Sequence, residues 1–224
     1  MVTPLIEVTP TIVETNTSAF SVALAHYKKL RQALRYYLLG AQYFCAAEAL
    51  EVAESYHTGL RKDGITPEFQ HQIEIAHYVR TLPDLMYPEE TIVAALFHDT
   101  PEDKGLSISV IQDIGGELAA EATHLMNKNG KSMELVMCEL ANNAIGSIAK
   151  GADRSHNIQT MDGAFSIDKQ LRYANEVEAY FLPMLKIARK KFPRQERAYE
   201  NIKHILTCQT ELIRLRLKKP VVEV

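Results

Sequence analysis

The chain has 224 residues, 46% of them hydrophobic and 24% charged, with a formal net charge of −3. That length supports one large domain whose core needs neither disulfides nor a structural metal. The charge balance excludes the broad basic surface of a nucleic-acid binder, although a local basic pocket for a small anion remains compatible with it.

Residues 1–17, rich in Thr, Pro and Val, read as an extended or irregular arm. From Ser18 the pattern turns helical, with Phe20, Leu24, Tyr27, Leu30, Leu34, Tyr37 and Leu38 at three- and four-residue steps. Gly40 interrupts that run, and a second helix is expected over residues 41–56. Residues 57–66 form a loop. Pro67 is expected at the first position of the next helix, with Thr66 as its cap and an end near Leu82. Pro88, Glu89 and Glu90 open another helix, expected to run through Asp99 and to weaken at Thr100 before Pro101. Two helices follow over 107–114 and 117–126, split by Gly115 and Gly116. A turn at 127–131 leads to a long helix over 132–157. The tail from Asp168 to Leu217 is helical, with breaks at Pro183 and Pro193. No alternating run demands a strand, so the expected fold class is all-α.

Cys45, Cys138 and Cys208 are widely spaced and form no C-x-x-C pair. They read as buried or incidental thiols of a reducing compartment, and no catalytic cysteine is expected. No apolar run reaches the ~20 residues of a bilayer span. The N-terminus lacks the basic start and apolar core of a signal peptide. A cytoplasmic location follows as the expectation, with neither membrane nor nucleic acid as a partner.

The densest chemistry is His98-Asp99-Thr100-Pro101-Glu102-Asp103 at the end of an apolar helix. Such an anionic cluster is costly unless a cation neutralises it, and imidazole with carboxylate suits a divalent ion such as Mn, Fe, Co or Zn. A second segment is Asp153-Arg154-Ser155-His156-Asn157, where Asp153 and Asn157 share a helix face. By itself it reads as a solvated helix end. The third runs from His57 to His71 and carries Arg61-Lys62 between Gly59 and Gly64, a plausible phosphate clamp. His71 lies on a stripe with Ile75, Tyr78 and Leu82, where a core histidine is the commoner reading. In the second segment His156 could meet a substrate, but its neighbours carry the motif without it.

In order and content these segments, HTGLRKDGITPEFQH, HDTPED and DRSHN, resemble the hydrolase domain of the RelA/SpoT family. That family reads H-x-G-Q-x-R-K-x-G-x-P-Y-x-x-H, then H-D-x-x-E-D, then D-R-x-x-N. The resemblance covers about residues 46–188. It implies an HD-domain helical bundle with one metal ion, usually Mn²⁺, on His71, His98, Asp99 and Asp153. It further implies Glu102 and Asp103 as the groups that orient or deprotonate water. Arg61, Lys62, Arg154, Asn157 and, most loosely, Tyr173 would meet the nucleotide substrate. The implied reaction is removal of the 3′-pyrophosphate from the alarmone (p)ppGpp or its adenosine analogue (p)ppApp. With no room for synthetase or regulatory domains, the chain is similar to the stand-alone small alarmone hydrolases such as the metazoan SpoT homologue. Relative to the family, one residue is missing between His57 and Arg61, one is added before His71, and Phe69 follows Pro67 where Tyr is usual. These departures fall in the loop expected to face base and ribose, so they bear on substrate identity.

The domain reading is an arm and extra helix over 1–40, an HD phosphohydrolase domain over 41–190, and a C-terminal helix over 191–224 packed on it. Residues 1–40 would serve helix packing or a homo-oligomer contact. Three other readings stand beside the alarmone hydrolase. One is another HD phosphohydrolase, namely an NADPH 2′-phosphatase, a nucleotidase or a cyclic-nucleotide phosphodiesterase. The second is a catalytically silent nucleotide-sensing HD module, and the third a purely helical scaffold.

Overall fold

The structure, a computed structural model, describes residues 11–218, with side chains for 18–217. The chain runs through α1 (Thr11–Gly40), α2 (Phe44–Tyr56), α3 (Gln70–Val79), α4 (Pro88–Leu96), α5 (Thr100–Lys104) and α6 (Ile108–Met126). It continues through α7 (Met133–Leu140), α8 (Ala144–Thr160), α9 (Ile167–Glu176), α10 (Leu182–Lys191) and α11 (Glu196–Lys218). Among the described residues there is no strand, only an isolated bridge between Leu60 and Pro67, and the all-α expectation holds.

The centre is α4. Every residue from Thr91 to Leu96 is buried, as the apolar run that ends this helix requires, and it packs on α2, α3, α6 and α8. Beside it, α8 uses small residues to bring neighbours close. A Cβ on Gly151 would stand 3.0 Å from Ile202 Cγ2 of α11, and one on Gly146 would stand 2.8 Å from Leu140 Cδ2. The helix α1 lies on α2 and α3 through Tyr27, Leu34 and Leu38. Arg31 pins it there by pairing with Glu54 at 2.6 Å and Glu51 at 2.5 Å. No helix among the described residues is long and apolar enough to cross a membrane. The three thiols are free, and Cys45 and Cys138 are exposed rather than buried.

Several boundaries differ from the expected ones. Residues 1–10 of the expected irregular arm lie outside the described residues. From Thr11 the backbone is already helical, because extending a formed helix across β-branched residues costs only tenths of a kcal/mol each. Thr66 does not cap α3. Its hydroxyl and N–H both go to the Asp63 carboxylate, at 2.5 and 2.9 Å, so Pro67 stays in the loop and the helix begins at Gln70. The helix α4 stops at Leu96, before the expected Thr100, where Phe97 leaves helical geometry (φ −101°, ψ 6°). Pro101 then opens α5, so it starts a helix instead of ending one. The expected long helix over 132–157 is two, because the Asn143 side chain accepts the N–H groups of Ile145 (3.1 Å) and Gly146 (2.7 Å) and caps a new start. Gly116 (φ 78°, ψ 175°) kinks α6 as expected. Pro183 makes no break. The turn before it widens to a π-helix over Val177–Phe181, and helix continues into α10.

Candidate metal centre

Three different elements deliver the side chains expected to ligate a metal. His71 is the second residue of α3, which is anchored in the core by Ile73, Ile75, Ala76 and Val79. His98 and Asp99 occupy the tight turn between α4 and α5. Asp153 comes from the buried middle of α8.

They converge. His71 Nε2 lies 3.3 Å and His98 Nε2 3.6 Å from the same oxygen, Asp153 Oδ1. The ligand atoms of His71, His98 and Asp153 all fall within 4.8 Å of one another. His98 donates Nδ1–H to Ala95 O at 2.9 Å, which leaves its Nε2 lone pair free. Two imidazole nitrogens and a carboxylate oxygen are a donor set that fits a divalent ion of the Mn, Fe, Co or Zn type. Asp99 stands at the edge of this group. Its Oδ2 is 3.5 Å from His98 Nε2. Gln72 donates to both its oxygens at 3.0 Å, and His57 Nε2 lies 3.3 Å from Oδ1.

Charge is balanced from inside the protein. Burial opposes ionisation of Asp153, but His98, His71 and Lys150 hold its carboxyl well below the usual range. Burial likewise opposes ionisation of Asp99, and His98, His57 and Gln72 overcome it. Burial pushes His71 down to about 4, so the ring is neutral at pH 7 and able to ligate.

A cavity of about 460 Å³ opens at the cluster, lined by His71 and Asp99 together with Arg61, Lys62, Asn157 and Phe165. That is the size of a small-molecule site. Asn157, one turn beyond Asp153, donates to Asp153 Oδ1 at 2.5 Å, as their shared helix face predicts. Arg61 and Lys62 are presented by a closed loop. Arg61 N–H donates to Thr66 O at 2.8 Å, and Gly64 supplies a positive φ of 72° that the turn needs.

The other expected site residues are outside the cavity lining. Glu102 and Asp103 lie on α5 and are exposed. Asp103 N–H donates to Asp99 O at 2.8 Å, and burial, Asp99 and Glu102 raise its carboxyl. Glu102 Oε2 accepts from Lys128 N at 3.5 Å. The Arg154 guanidinium is buried between the rings of Tyr173 (4.2 Å) and Phe181 (4.5 Å) and pairs with Glu176 at 2.9 Å. Tyr173 in turn meets Phe165 edge to face, with ring centroids 5.5 Å apart. Phe69, expected in the substrate loop, is fully buried against His57, where an aromatic ring fills the space behind the cluster.

The sequence from residue 49 to 219 matches the HD domain. The chain belongs to the HD domain family. Its HD domain is similar, at 29% identity over 144 residues, to the probable guanosine-3′,5′-bis(diphosphate) 3′-pyrophosphohydrolase of Synechocystis sp. (59% of this chain, 18% of that protein). It is 25% identical over 170 residues to the bifunctional (p)ppGpp synthase/hydrolase SpoT of Escherichia coli (70% and 24%). It is 29% identical over 150 residues to the probable GTP pyrophosphokinase of Mycobacterium leprae (61% and 18%). The chain spans about a fifth of the length of these relatives. The HD domain is of the RelA/SpoT type.

Four residues close to the HD cluster were not among the expected site residues: His57, Gln72, Glu74 and His156. His57 stands at the head of its motif, which is a signal. Glu74 is three residues beyond His71 on one helix face, which is a weaker one. Nothing local in the sequence joins His156 to either.

Proposed function

We propose that this HD domain is a metal-dependent phosphohydrolase that removes the 3′-pyrophosphate of (p)ppGpp or (p)ppApp, giving GDP or GTP (or ADP or ATP) and pyrophosphate. The observation that carries the reading is the convergence of His71, His98 and Asp153 beside a cavity walled by Arg61, Lys62 and Asn157. The named activities of the relatives support it. In this reading His71, His98, Asp99 and Asp153 hold one ion, taken to be Mn²⁺. When bound, the ion acts as a Lewis acid on a phosphoryl oxygen and lowers the pKa of its water.

The chain's own groups do the rest. Arg61 and Lys62 neutralise the phosphate oxygens as the bond to the ribose 3′ oxygen breaks. Asn157 fixes the rotamer of Asp153 and offers its amide edge to the cavity. Of the two expected acid–base groups, Asp103 is the one tied to the cluster: its N–H donates to Asp99 O, and burial, Asp99 and Glu102 raise its carboxyl. Arg154, enclosed between two rings, holds α8 to α9, and Tyr173 supports Phe165 in the cavity wall.

The test is turnover of ppGpp, ppApp and NADPH with Mn²⁺ and with chelator. Pyrophosphate released from ppGpp or ppApp only when metal is present, and not by Asp99→Ala, supports the proposal. Phosphate from NADPH alone keeps the site and replaces the substrate. Bound metal without turnover of any of them sinks the reading in favour of a silent module.

A further inference from the structure

His71 is the second residue of α3, and its ring does not use a backbone carbonyl as His98 uses that of Ala95. Its Nδ1 is instead 2.9 Å from His156 Nδ1, a residue of α8. The far nitrogen of that second ring, His156 Nε2, is 2.7 Å from Glu74 Oε2, back on α3. The other Glu74 oxygen accepts from Gln70 Nε2 at 2.9 Å, which fixes the carboxylate rotamer. The two rings are edge to face, with centroids 4.7 Å apart.

Hydrogen-bond polarity along this chain is set at both ends. A carboxylate only accepts, so His156 Nε2 must carry the proton that faces Glu74. For His71 to present Nε2 as a lone pair to an ion shared with Asp153, its own proton must sit on Nδ1. The Nδ1–Nδ1 contact then has one proton, given by His71 and received by His156. All three groups are satisfied in that arrangement, and the ring of His71 is locked in the ligating tautomer.

We propose that His156 and Glu74 are positioning residues, a carboxylate–imidazole arm that holds His71 with Nε2 aimed at the ion. The inference rests on the metal site of the preceding section and adds two residues to it. Partners of this kind orient metal-bound histidines and raise their basicity, and losing one typically costs 10–100-fold in metal affinity (on the order of).

The experiment measures Mn²⁺ affinity directly, by free-ion titration without substrate, in wild type, Glu74→Ala, Glu74→Gln and His156→Leu. Co²⁺ spectra of the same proteins report the ligand geometry. We expect Glu74→Ala and His156→Leu to lose roughly 10–100-fold in affinity and to alter the Co²⁺ spectrum. Glu74→Gln, which keeps an acceptor oxygen for His156, should recover most of the loss. Melting of the metal-free proteins separates this from a packing defect, which would lower stability but leave affinity alone. Wild-type affinity in both disruptive variants overturns the arm while the metal site stands. No ion bound by the wild type overturns the site and the arm together.

Discussion

Gln72 donates its side-chain amide to both carboxylate oxygens of Asp99, at 3.0 Å each. His57 approaches the same carboxylate, and both side chains are buried. Asp99→Ala takes the acceptor from one N–H of the Gln72 amide, the other keeping His57 Nε2 at 3.1 Å. Leaving a buried donor unpaired costs about 1–3 kcal/mol, so the metal-free variant should melt below wild type. If Asp99 is a ligand, its Mn²⁺ affinity should fall as well. Affinity unchanged, with the melting temperature lowered, would remove Asp99 from the ligand set.

Stability of the metal-free protein should depend on pH through His71. Its folded pKa of about 4 lies below the ordinary 6.5, so between those values the unfolded chain binds the extra proton. Stability therefore rises with pH across that window, by about 3 kcal/mol at full shift. His57 has the opposite sign. Its pKa is raised, so its contribution is complete below 6.5 and is lost as pH rises through the folded value. Denaturant melts from pH 4 to 6.5 check this. A flat profile, or a slope that persists unchanged in His71→Asn, would contradict it.

Arg154 is enclosed by Tyr173, Phe181 and Glu176. Arg154→Ala should cost stability, about 2–4 kcal/mol by loss of a largely buried pair and its ring contacts, with little change in KM. Arg154→Lys should recover only part, because an ammonium cannot lie flat between two rings. A raised KM at unchanged stability would place the guanidinium on the substrate instead.

Gly115 faces Val93 of α4. An added Cβ would stand 2.6 Å from Val93 Cγ1, and Val93 is fully buried. Alanine improves helix propensity by up to about 1 kcal/mol, whereas overpacking a closed core costs about 1–3 kcal/mol. Since Val93 has nowhere to go, the clash wins and Gly115→Ala should destabilise. Adding Val93→Ala should recover part of the loss, and its failure to do so would mean the strain lies in the backbone.

The sequence by itself determined the fold class, most helices, and the chemical identity of the cluster. Apolar periodicity reports which face is buried, and Pro88, Glu89 and Glu90 mark a helix start that the structure keeps. His98 and Asp153 stood out because imidazole and carboxylate are the side chains a divalent ion would need, and the spacing of Asp153 and Asn157 fixes their contact within one helix. Boundaries were less legible wherever a side chain took the backbone's hydrogen bonds. Asp63 claimed Thr66, and Asn143 cut one expected helix into two. Only the tertiary structure decided what surrounds the ligands. The packing of α3 against α8 brings His156 between His71 and Glu74, and that of α9 against α8 encloses Arg154. No local pattern encodes such contacts, because they join residues far apart in the chain and depend on how whole helices are seated against one another.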